Sequence, residues 1–193
     1  MRIGVLASQG AFAEHIAMLH RLAVDASPVR LPQELIGLDG LVIPGGESTT
    51  ISKLMLSYNL LAEIRGLARN GLPMMGTCAG MILLAKGVTD ADVEPVGVMD
   101  ITVERNAFGR QRDSFEADLS IPALGDEPFP GVFIRAPVIE QAGDGVEILA
   151  RLGNGTFVAA RQGKLLVSAF HPELTGDLRF HQYFLGMVAG DTN

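Results

Sequence analysis

The stretch L-P-M-M-G-T-C-A-G-M-I-L-L-A-K, residues 72–86, decides how this chain folds. Its opening run, Leu72 to Met75, is short and apolar and predicts a buried β-strand, while Met81 to Lys86 predicts a helix. Between them lies Gly76-Thr77-Cys78-Ala79-Gly80, where small residues permit a sharp turn. Strand, turn and helix in this order are typical of the elbow that presents the nucleophile of G-x-S-x-G hydrolases, here with cysteine in place of serine.

Cys78 is the only cysteine of the chain and cannot form an intrachain disulfide. Small neighbours would let an acyl group approach the peptide N–H of Ala79, and a helix N-terminus favours the thiolate form of a cysteine. A structural cysteine buried between two packing glycines is the alternative interpretation. The elbow context favours a nucleophile.

A cysteine nucleophile needs a base, and the base needs an orienting carboxylate. Phe170-His171-Pro172-Glu173 supplies both at the end of an apolar run, Leu165 to Phe170, that predicts a strand. Side chains two residues apart point to the same side of an extended segment, so His171 and Glu173 can pair. A strand-end histidine in a turn would explain H-P-E alone. Together with the elbow, it predicts a triad of Cys78, His171 and Glu173.

Negative charge that develops on a substrate oxygen calls for backbone N–H donors. The loop Pro44 to Ser48 follows the apolar strand predicted at Leu41 to Ile43 and lies at the same edge of the sheet as the elbow. A tight turn is the plainer interpretation of Gly45-Gly46. We expect Gly46 and Ala79 to form the oxyanion hole.

Strands and helices alternate in the first half of the chain. A strand at Arg2 to Leu6 precedes a helix at Ala11 to Leu22; Ser48 to Thr50 cap a helix beginning near Ile51, and another spans Leu60 to Asn70. The second half predicts strands at Val98 to Glu104, Phe115 to Ile121, Val132 to Arg135, Val146 to Arg151, Phe157 to Arg161 and Leu165 to Phe170. A final helix near Asp177 to Val188 carries the apolar residues Leu178, Phe184, Leu185 and Val188. The pattern predicts a three-layer α/β fold: a mainly parallel twisted sheet flanked by helices, with an antiparallel extension.

Composition narrows the class of protein. With 193 residues and 48% hydrophobic content, we expect a single domain over residues 1–193. No apolar run reaches the ~18 residues of a membrane span and no secretory signal is visible, so we expect a cytoplasmic protein with no membrane partner. A net charge of −7 without a basic block argues against a nucleic-acid partner.

The remaining histidines predict no metal site. His15 and His20 lie five residues apart on the first helix, a spacing that does not align two ligands, and His181 is expected to be a polar residue of the last helix. The eight methionines are scattered, which is typical of core filling. We expect neither a metal nor a cofactor.

Several motifs resemble those of a known family. G-T-C-A-G with H-P-E resembles the class I glutamine amidotransferases, whose fold is flavodoxin-like. Further blocks resemble, more narrowly, the glutaminase subunits of pyridoxal 5'-phosphate synthase. They cover nearly the whole chain: Q-G-A (Gln9 to Ala11) with Glu14-His15, P-G-G-E-S-T-T (Pro44 to Thr50), E-R-N-x-F-G-R-Q (Glu104 to Gln111), S-F-E (Ser114 to Glu116), G-V-F-I-R-A-P (Gly131 to Pro137) and F-H-P-E-L-T (Phe170 to Thr175).

The resemblance implies an enzyme that hydrolyses L-glutamine to L-glutamate and ammonia. It implies that Cys78 is the nucleophile, His171 the base and acid, and Glu173 its partner. It also implies a glutamine site formed by Gly46, Glu47, Ser48, Arg105, Ile134 and Arg135.

The implied partner is a (β/α)8-barrel synthase subunit in a hetero-oligomeric complex. It would combine the ammonia with a pentose phosphate and a triose phosphate to make pyridoxal 5'-phosphate, which is then the partner's product and not a cofactor of this chain. Glutaminase activity would be low until the partner docks.

Two other functions remain open at this point. The elbow would also suit a cysteine peptidase or a stress-response hydrolase of similar fold, and a non-enzymatic regulatory subunit with a decayed triad is the third interpretation. Intact Cys78, His171 and Glu173 argue against decay.

Overall fold

A mixed β-sheet forms the centre of the computed structural model, which describes residues 1–89, 92–105 and 114–191. The strands are β1 (Arg2–Leu6), β2 (Asp25–Val29), β3 (Gly40–Ile43), β4 (Met74–Thr77), β5 (Ala85–Thr89), β6 (Met99–Glu104), β7 (Ser114–Leu119), β8 (Phe129–Ile134), β9 (Val138–Ala142), β10 (Glu147–Arg151), β11 (Phe157–Gln162) and β12 (Leu165–Ser168). The α-helices are α1 (Phe12–Arg21), α2 (Ser48–Ser57), α3 (Leu60–Arg69), α4 (Ala79–Leu84) and α5 (Arg179–Ala189). Short 3-10 helices span Pro32–Leu35, Pro122–Leu124 and Pro172–Leu174.

The order of strands places three loops at one edge of the sheet. Within the described ranges the sheet runs β2-β1-β3-β4-β12-β11-β9-β6-β5, with β10 paired to β11. Strand β4 is parallel to both neighbours: Met74 is opposite Leu41 of β3, and Gly76 is opposite Val167 of β12. Because parallel strands end at the same edge, the segments that follow β3, β4 and β12 meet there.

The predicted fold class is confirmed. Strands β2, β1, β3, β4 and β12 pair in parallel, and β12, β11, β9 and β6 continue the sheet with antiparallel pairs. The helix predicted at Met81 to Lys86 was wrong at its end, because α4 stops at Leu84 and Ala85 begins β5. All six residues of α4 are buried, so no polar face marks where the helix stops. Strands β2, β5 and β9 were not predicted.

The ribbon of β7 and β8 departs from the expected antiparallel extension. These two strands pair with each other in a separate two-stranded sheet, with Phe115 opposite Phe133. The ribbon is joined to the third loop by the backbone N–H of His171, which donates to Val132 O at 2.8 Å. It therefore supports one side of the edge where the loops meet.

Two helix details also differ from the sequence prediction. Helix α2 begins at Ser48 and is capped by the Glu47 side chain, whereas the sequence predicts Ser48 to Thr50 as caps and a start near Ile51. The buried face of α5 consists of Phe180, His181, Phe184 and Met187, a helical i, i+1, i+4, i+7 pattern. Of the predicted apolar set, Leu178, Leu185 and Val188 are only partly buried.

None of the helices in residues 1–89, 92–105 and 114–191 is long and apolar enough to cross a membrane. Over the same ranges, no group of three or more histidine, cysteine or acidic residues is arranged to hold a metal ion.

Candidate active site

Cys78 lies in a strained turn between β4 and α4. Its φ of 50° is in the left-handed region, which side chains other than glycine rarely adopt. The backbone N–H donates to Ser168 O at 2.8 Å, so the turn is tied to the end of β12. A strained residue held by the surrounding backbone is common at functional sites, and this geometry matches the predicted elbow.

The two glycines of the elbow are required by close packing. A Cβ added to Gly80 would overlap the carbonyl oxygen of Ile43 at the end of β3. A Cβ added to Gly76 would come within 2.6 Å of the Gly80 carbonyl group. The elbow therefore packs backbone to backbone against its own strand and against β3.

His171 and Glu173 follow β12 on the third loop of the edge. Glu173 lies in the 3-10 helix Pro172–Leu174, and His171 Nδ1 is 2.7 Å from Glu173 Oε1. The preceding Phe170 is anchored among Phe129, Phe133 and Phe180, with ring centroids 5.3 to 5.8 Å away. The structure thus brings the predicted base and acid together, and it leaves His171 Nε2 for the thiol.

The charges around His171 favour its protonated form, the imidazolium. Burial lowers the pKa of His171, but its hydrogen bonds and charge interactions with Cys78 and Glu173 raise it overall, from 6.5 to about 10. Burial raises the pKa of Glu173, but its interactions with His15 and His171 lower it overall. Cys78 and His171 are both 7% exposed, so a small molecule can still reach them.

A cavity of about 270 Å³ opens over Cys78 and His171. This is near the lower end of ligand pockets, ~300–1,000 Å³, and suits a molecule the size of an amino acid. Its lining includes the six residues predicted to bind substrate, together with two that sequence reasoning did not assign to it. The lining consists of Gln9, Gly46, Glu47, Ser48, Cys78, Ile82, Arg105, Ile134, Arg135 and His171.

Two of the predicted site residues do not line the cavity. Glu173 lies behind His171, where an orienting acid belongs, and Ala79 is 1% exposed within the elbow. Ala79 is the first residue of α4, so no carbonyl of its own helix accepts its backbone N–H. This N–H therefore stays available for the predicted oxyanion hole. Gln9 belongs to the Q-G-A motif, which was the available signal for its place at the cavity. Ile82 carried no such signal.

Glu47 is held rigidly at the cavity wall. Its carboxylate accepts from the backbone N–H groups of Thr49 and Thr50 at 3.2 and 2.7 Å, and Arg105 Nη2 is 2.6 Å from its Oε1. Burial raises the pKa of Glu47, but the hydrogen bonds of Thr49 and Thr50 outweigh it and lower the pKa to about 2. Glu47 is therefore a fixed negative charge at neutral pH. Arg105 is the last described residue of the E-R-N-x-F-G-R-Q block; residues 106–111 of that motif lie outside the described ranges.

The Gly45 loop is fixed from both sides. The carbonyl oxygen of Gly45 accepts from Ala11 N–H at 3.0 Å, and its own N–H donates to Thr77 Oγ1 at 3.1 Å. Gly10 makes the first contact possible: its φ is 102°, and a Cβ there would overlap the Gly45 carbonyl oxygen. A Cβ added to Gly45 would lie 3.3 Å from the Cβ of Cys78 and against the His171 ring. The loop therefore packs directly on the nucleophile and the base.

Ser48 presents a hydroxyl at the cavity wall that lacks a protein partner within the described residues. The residue is 2% exposed and its Oγ is fully buried. A buried hydroxyl without a partner costs free energy. Its position in the lining indicates a group kept for a ligand.

The sequence interpretation of His15 and His181 was incomplete. Both side chains are fully buried, and His15 Nδ1 is 2.9 Å from His181 Nε2. His15 Nε2 is 3.3 Å from Glu173 Oε2. These histidines therefore lie directly behind the predicted triad, although in the part of the chain that the structure describes neither belongs to a group that could hold a metal ion. Their contact joins α1 to α5, so the spacing of histidines along a single helix does not indicate it.

Comparison with known proteins agrees with this geometry. The model of the SNO glutamine amidotransferase family matches residues 5–190. The chain is 58% identical over 190 residues to pyridoxal 5'-phosphate synthase subunit PdxT of Herpetosiphon aurantiacus, covering 97% of this chain and 100% of the relative. It is 59% identical over 185 residues to the protein of the same name from Pelotomaculum thermopropionicum, covering 96% of this chain and 94% of the relative.

Solved structures align with nearly the whole of this chain. A crystal structure described as a glutamine amidotransferase aligns with a TM-score of 0.91 and 51% identity, covering 97% of this chain and 98% of the other. The structure of PurLQS from Thermotoga maritima aligns with a TM-score of 0.71 at 16% identity, covering 96% and 97%, and it shares the fold alone.

Proposed function

Because this chain belongs to the SNO glutamine amidotransferase family, we propose that it hydrolyses the side-chain amide of L-glutamine with Cys78, His171 and Glu173. The single observation that supports this assignment best is spatial. The only cysteine lies on the loop after β4, whereas the imidazole and the buried carboxylate lie on the loop after β12, far away in sequence, yet the two loops meet beside one small cavity. We place all of these groups in one glutaminase domain spanning residues 1–193.

In the first step the Cys78 thiolate attacks the amide carbon of glutamine. The carbonyl oxygen gains negative charge, and the backbone N–H groups of Gly46 and Ala79 are our candidates for donors to it. His171 then gives its proton to the departing nitrogen, so the C–N bond breaks and ammonia leaves. A thioester between Cys78 and the glutamyl group remains.

In the second step water replaces ammonia. His171, now neutral, takes a proton from the water as the oxygen attacks the thioester carbon. The C–S bond breaks, the thiolate and imidazolium are restored, and the product leaves as glutamate after its new carboxyl group has lost its proton to solvent. Glu173 stabilises the imidazolium at each stage through its 2.7 Å contact with Nδ1 and is not itself protonated.

The cavity wall suits the amino-acid end of glutamine. Arg135, at the wall, can bind the α-carboxylate, and the fixed charge of Glu47 can accept from the α-ammonium. Arg105 holds Glu47 in place through the 2.6 Å ion pair. Gly46, Ser48 and Ile134 complete the proposed site.

We further propose that the ammonia is delivered to a synthase subunit that makes pyridoxal 5'-phosphate. The relatives at 58% and 59% identity, aligned over nearly their whole length, are named as subunits of pyridoxal 5'-phosphate synthase. We propose a (β/α)8-barrel for the partner, on the resemblance of the sequence motifs. Family membership also favours glutamine over the peptide substrates of the alternative peptidase.

The test is a coupled assay with the synthase subunit from the same organism. The two chains are purified together, and glutamate and pyridoxal 5'-phosphate are measured with glutamine or with ammonium chloride as the nitrogen source. We expect glutamate and the vitamer to be formed from glutamine. Peptide cleavage without glutamine turnover would contradict the proposal.

A further inference from the structure

A buried polar cluster lies behind the predicted triad, on the side away from the cavity. It consists of His15 from α1, Thr77 from the end of β4, His181 from α5 and the far carboxylate oxygen of Glu173. The two histidines and Thr77 are fully buried. Buried polar groups are costly unless they satisfy one another, so a cluster of this kind needs a reason.

The Glu173 carboxylate explains why polar groups are buried at this place. Oε1 is taken by His171 Nδ1 at 2.7 Å, but Oε2 has no fully aligned hydrogen bond from the described residues. His15 Nε2 faces Oε2 at 3.3 Å and is hydrogen-bonded to Thr77 Oγ1 at 3.1 Å. Its N–H therefore bonds the Thr77 hydroxyl and also turns the positive end of its dipole toward Oε2. An ionised carboxylate in a dry interior is stabilised by each dipole that points at it.

The same contacts decide which nitrogen of His15 carries the proton. An unprotonated Nε2 would turn its lone pair toward the carboxylate, which is unfavourable, so Nε2 is the donor. Nδ1 must then accept, and the N–H of His181 Nε2 supplies the proton at 2.9 Å. His181 Nδ1, which has no partner among the described residues, is left as a bare acceptor, and this costs less than a buried unpaired donor.

Both histidines stay neutral in this arrangement. Burial lowers the pKa of His15 more than Glu173 raises it, and burial together with His15 lowers the pKa of His181 to about 3. The charged groups that act on His15 are Glu173 and His171, and the exposed Glu14 on α1 has the smallest effect. His15 therefore acts on Glu173 as an oriented dipole.

The cluster also reaches the Gly45 loop. Thr77 Oγ1 contacts His15 Nε2 and accepts from the N–H of Gly45, both at 3.1 Å. One imidazole thus contacts the acid that orients the base and the hydroxyl that fixes the loop packed on Cys78.

We propose that His15 is a positioning residue of the glutaminase reaction: it holds the second oxygen of Glu173 and, through Thr77, keeps the triad and the Gly45 loop in register. His181 fixes the tautomer that lets it do so. The proposal rests on the function assigned to Cys78, His171 and Glu173.

The experiment replaces His15 with two amide side chains of different length, glutamine and asparagine. A glutamine at position 15 places its N–H near the position of Nε2, facing Glu173, whereas an asparagine places it near Nδ1, facing His181. Kinetic constants for glutamine hydrolysis are measured in the complex with the synthase subunit. We expect His15→Asn to lower kcat about 10- to 100-fold, as for other lost supporting hydrogen bonds, with KM changed less than about 3-fold. His15→Gln should retain most of the activity.

Two further variants separate positioning from folding. His15→Met has nearly the shape of His15→Gln without a donor, so this pair decides the question if His15→Asn does not fold. His20→Gln is the matched control, because the exposed His20 lies on the same helix and its Nε2 contacts Ala26 O, away from the site. Equal activity of the Gln, Asn and Met variants, or activity that only follows their Tm, would overturn the proposal.

Alkylation of Cys78 by iodoacetamide separates this inference from the proposed function, because it needs no glutamine. We expect fast alkylation of the wild type at pH 7 and slow alkylation of His15→Asn and His15→Met. If the wild type does not turn over glutamine but alkylation still depends on residue 15 in this order, the proposed function fails and the positioning role stands. If glutamine turnover is normal and alkylation is the same in all variants, the positioning role fails alone.

Discussion

The nucleophile and the base are held in place by different means. Cys78 is fixed by the backbone: a positive φ, a hydrogen bond to Ser168 O and glycines that pack against β3. His171 is fixed by side chains, through Glu173 at 2.7 Å and the buried cluster behind it. A residue that is fixed by backbone contacts keeps its position when neighbouring side chains change. A residue that is fixed by side-chain contacts depends on each of the side chains that hold it.

This difference predicts how each region responds to substitution. Loss of a reacting group should abolish its step in either region. Loss of a supporting group should matter for the base and much less for the nucleophile. The predictions that follow test this distinction, beginning with the largest expected effect.

Cys78→Ala should lower glutamine-dependent synthesis by at least about 10⁴-fold, because no other group can form the thioester. The measurement is pyridoxal 5'-phosphate formation by the complex with glutamine as the nitrogen source. Synthesis from ammonium chloride should be unchanged, since only the ammonia source is lost. Failure of the ammonium reaction as well would mean that the roles of the two subunits are assigned wrongly.

His171→Asn should lower kcat for glutamine hydrolysis by about 10³-fold, less than loss of the thiol because cysteine retains some nucleophilicity without a base. Asparagine can keep the contact with Glu173, so packing is largely preserved. Glutamate release is measured in the complex, with Tm as the check on folding. A variant with full activity would remove His171 from the mechanism.

The elbow and the fold class could be predicted because they depend on local sequence. G-T-C-A-G lies between a short apolar strand and an apolar helix, and each glycine has a packing reason that can be inferred from the motif. H-P-E follows a strand in the same way. The six residues assigned to the cavity came from resemblance, and all of them line it.

What could not be predicted depends on contacts between distant elements. His15 and His181 are 166 residues apart, and nothing in either helix alone indicates that they touch. Strand β2 contains Asp25 and Pro28, which are unusual in strands and tolerated here at the sheet edge. Strand β5 follows the buried helix α4 without a break in hydrophobicity, so the turn at Ala85 leaves no pattern.

Glu173→Ala should lower kcat by about 10²-fold, which is milder than loss of His171 because orientation is lost and the reacting group remains. The substitution also leaves His15 Nε2 without its carboxylate. In this background His15→Asn should have a smaller effect than in the wild type, because the contact with Glu173 is already lost and only the contact through Thr77 remains. Independent, fully multiplying effects of the two substitutions would show that His15 does not act through Glu173.

Arg135→Lys should have the smallest effect and should fall on binding alone, because Arg135 lines the cavity without contacting the triad in the described residues. Lysine keeps the positive charge but loses the two-pronged contact that a guanidinium makes with a carboxylate. It also keeps a side chain at the strained φ of 42°, so the backbone cost at this position is unchanged. We expect KM for glutamine to rise about 10-fold with kcat within about 3-fold. Arg69→Lys, at an exposed position of α3, is the control and should leave both constants unchanged. A fall in kcat at constant KM would instead place Arg135 among the groups that support the base. Substitutions could then no longer separate residues that bind the substrate from residues that support the triad.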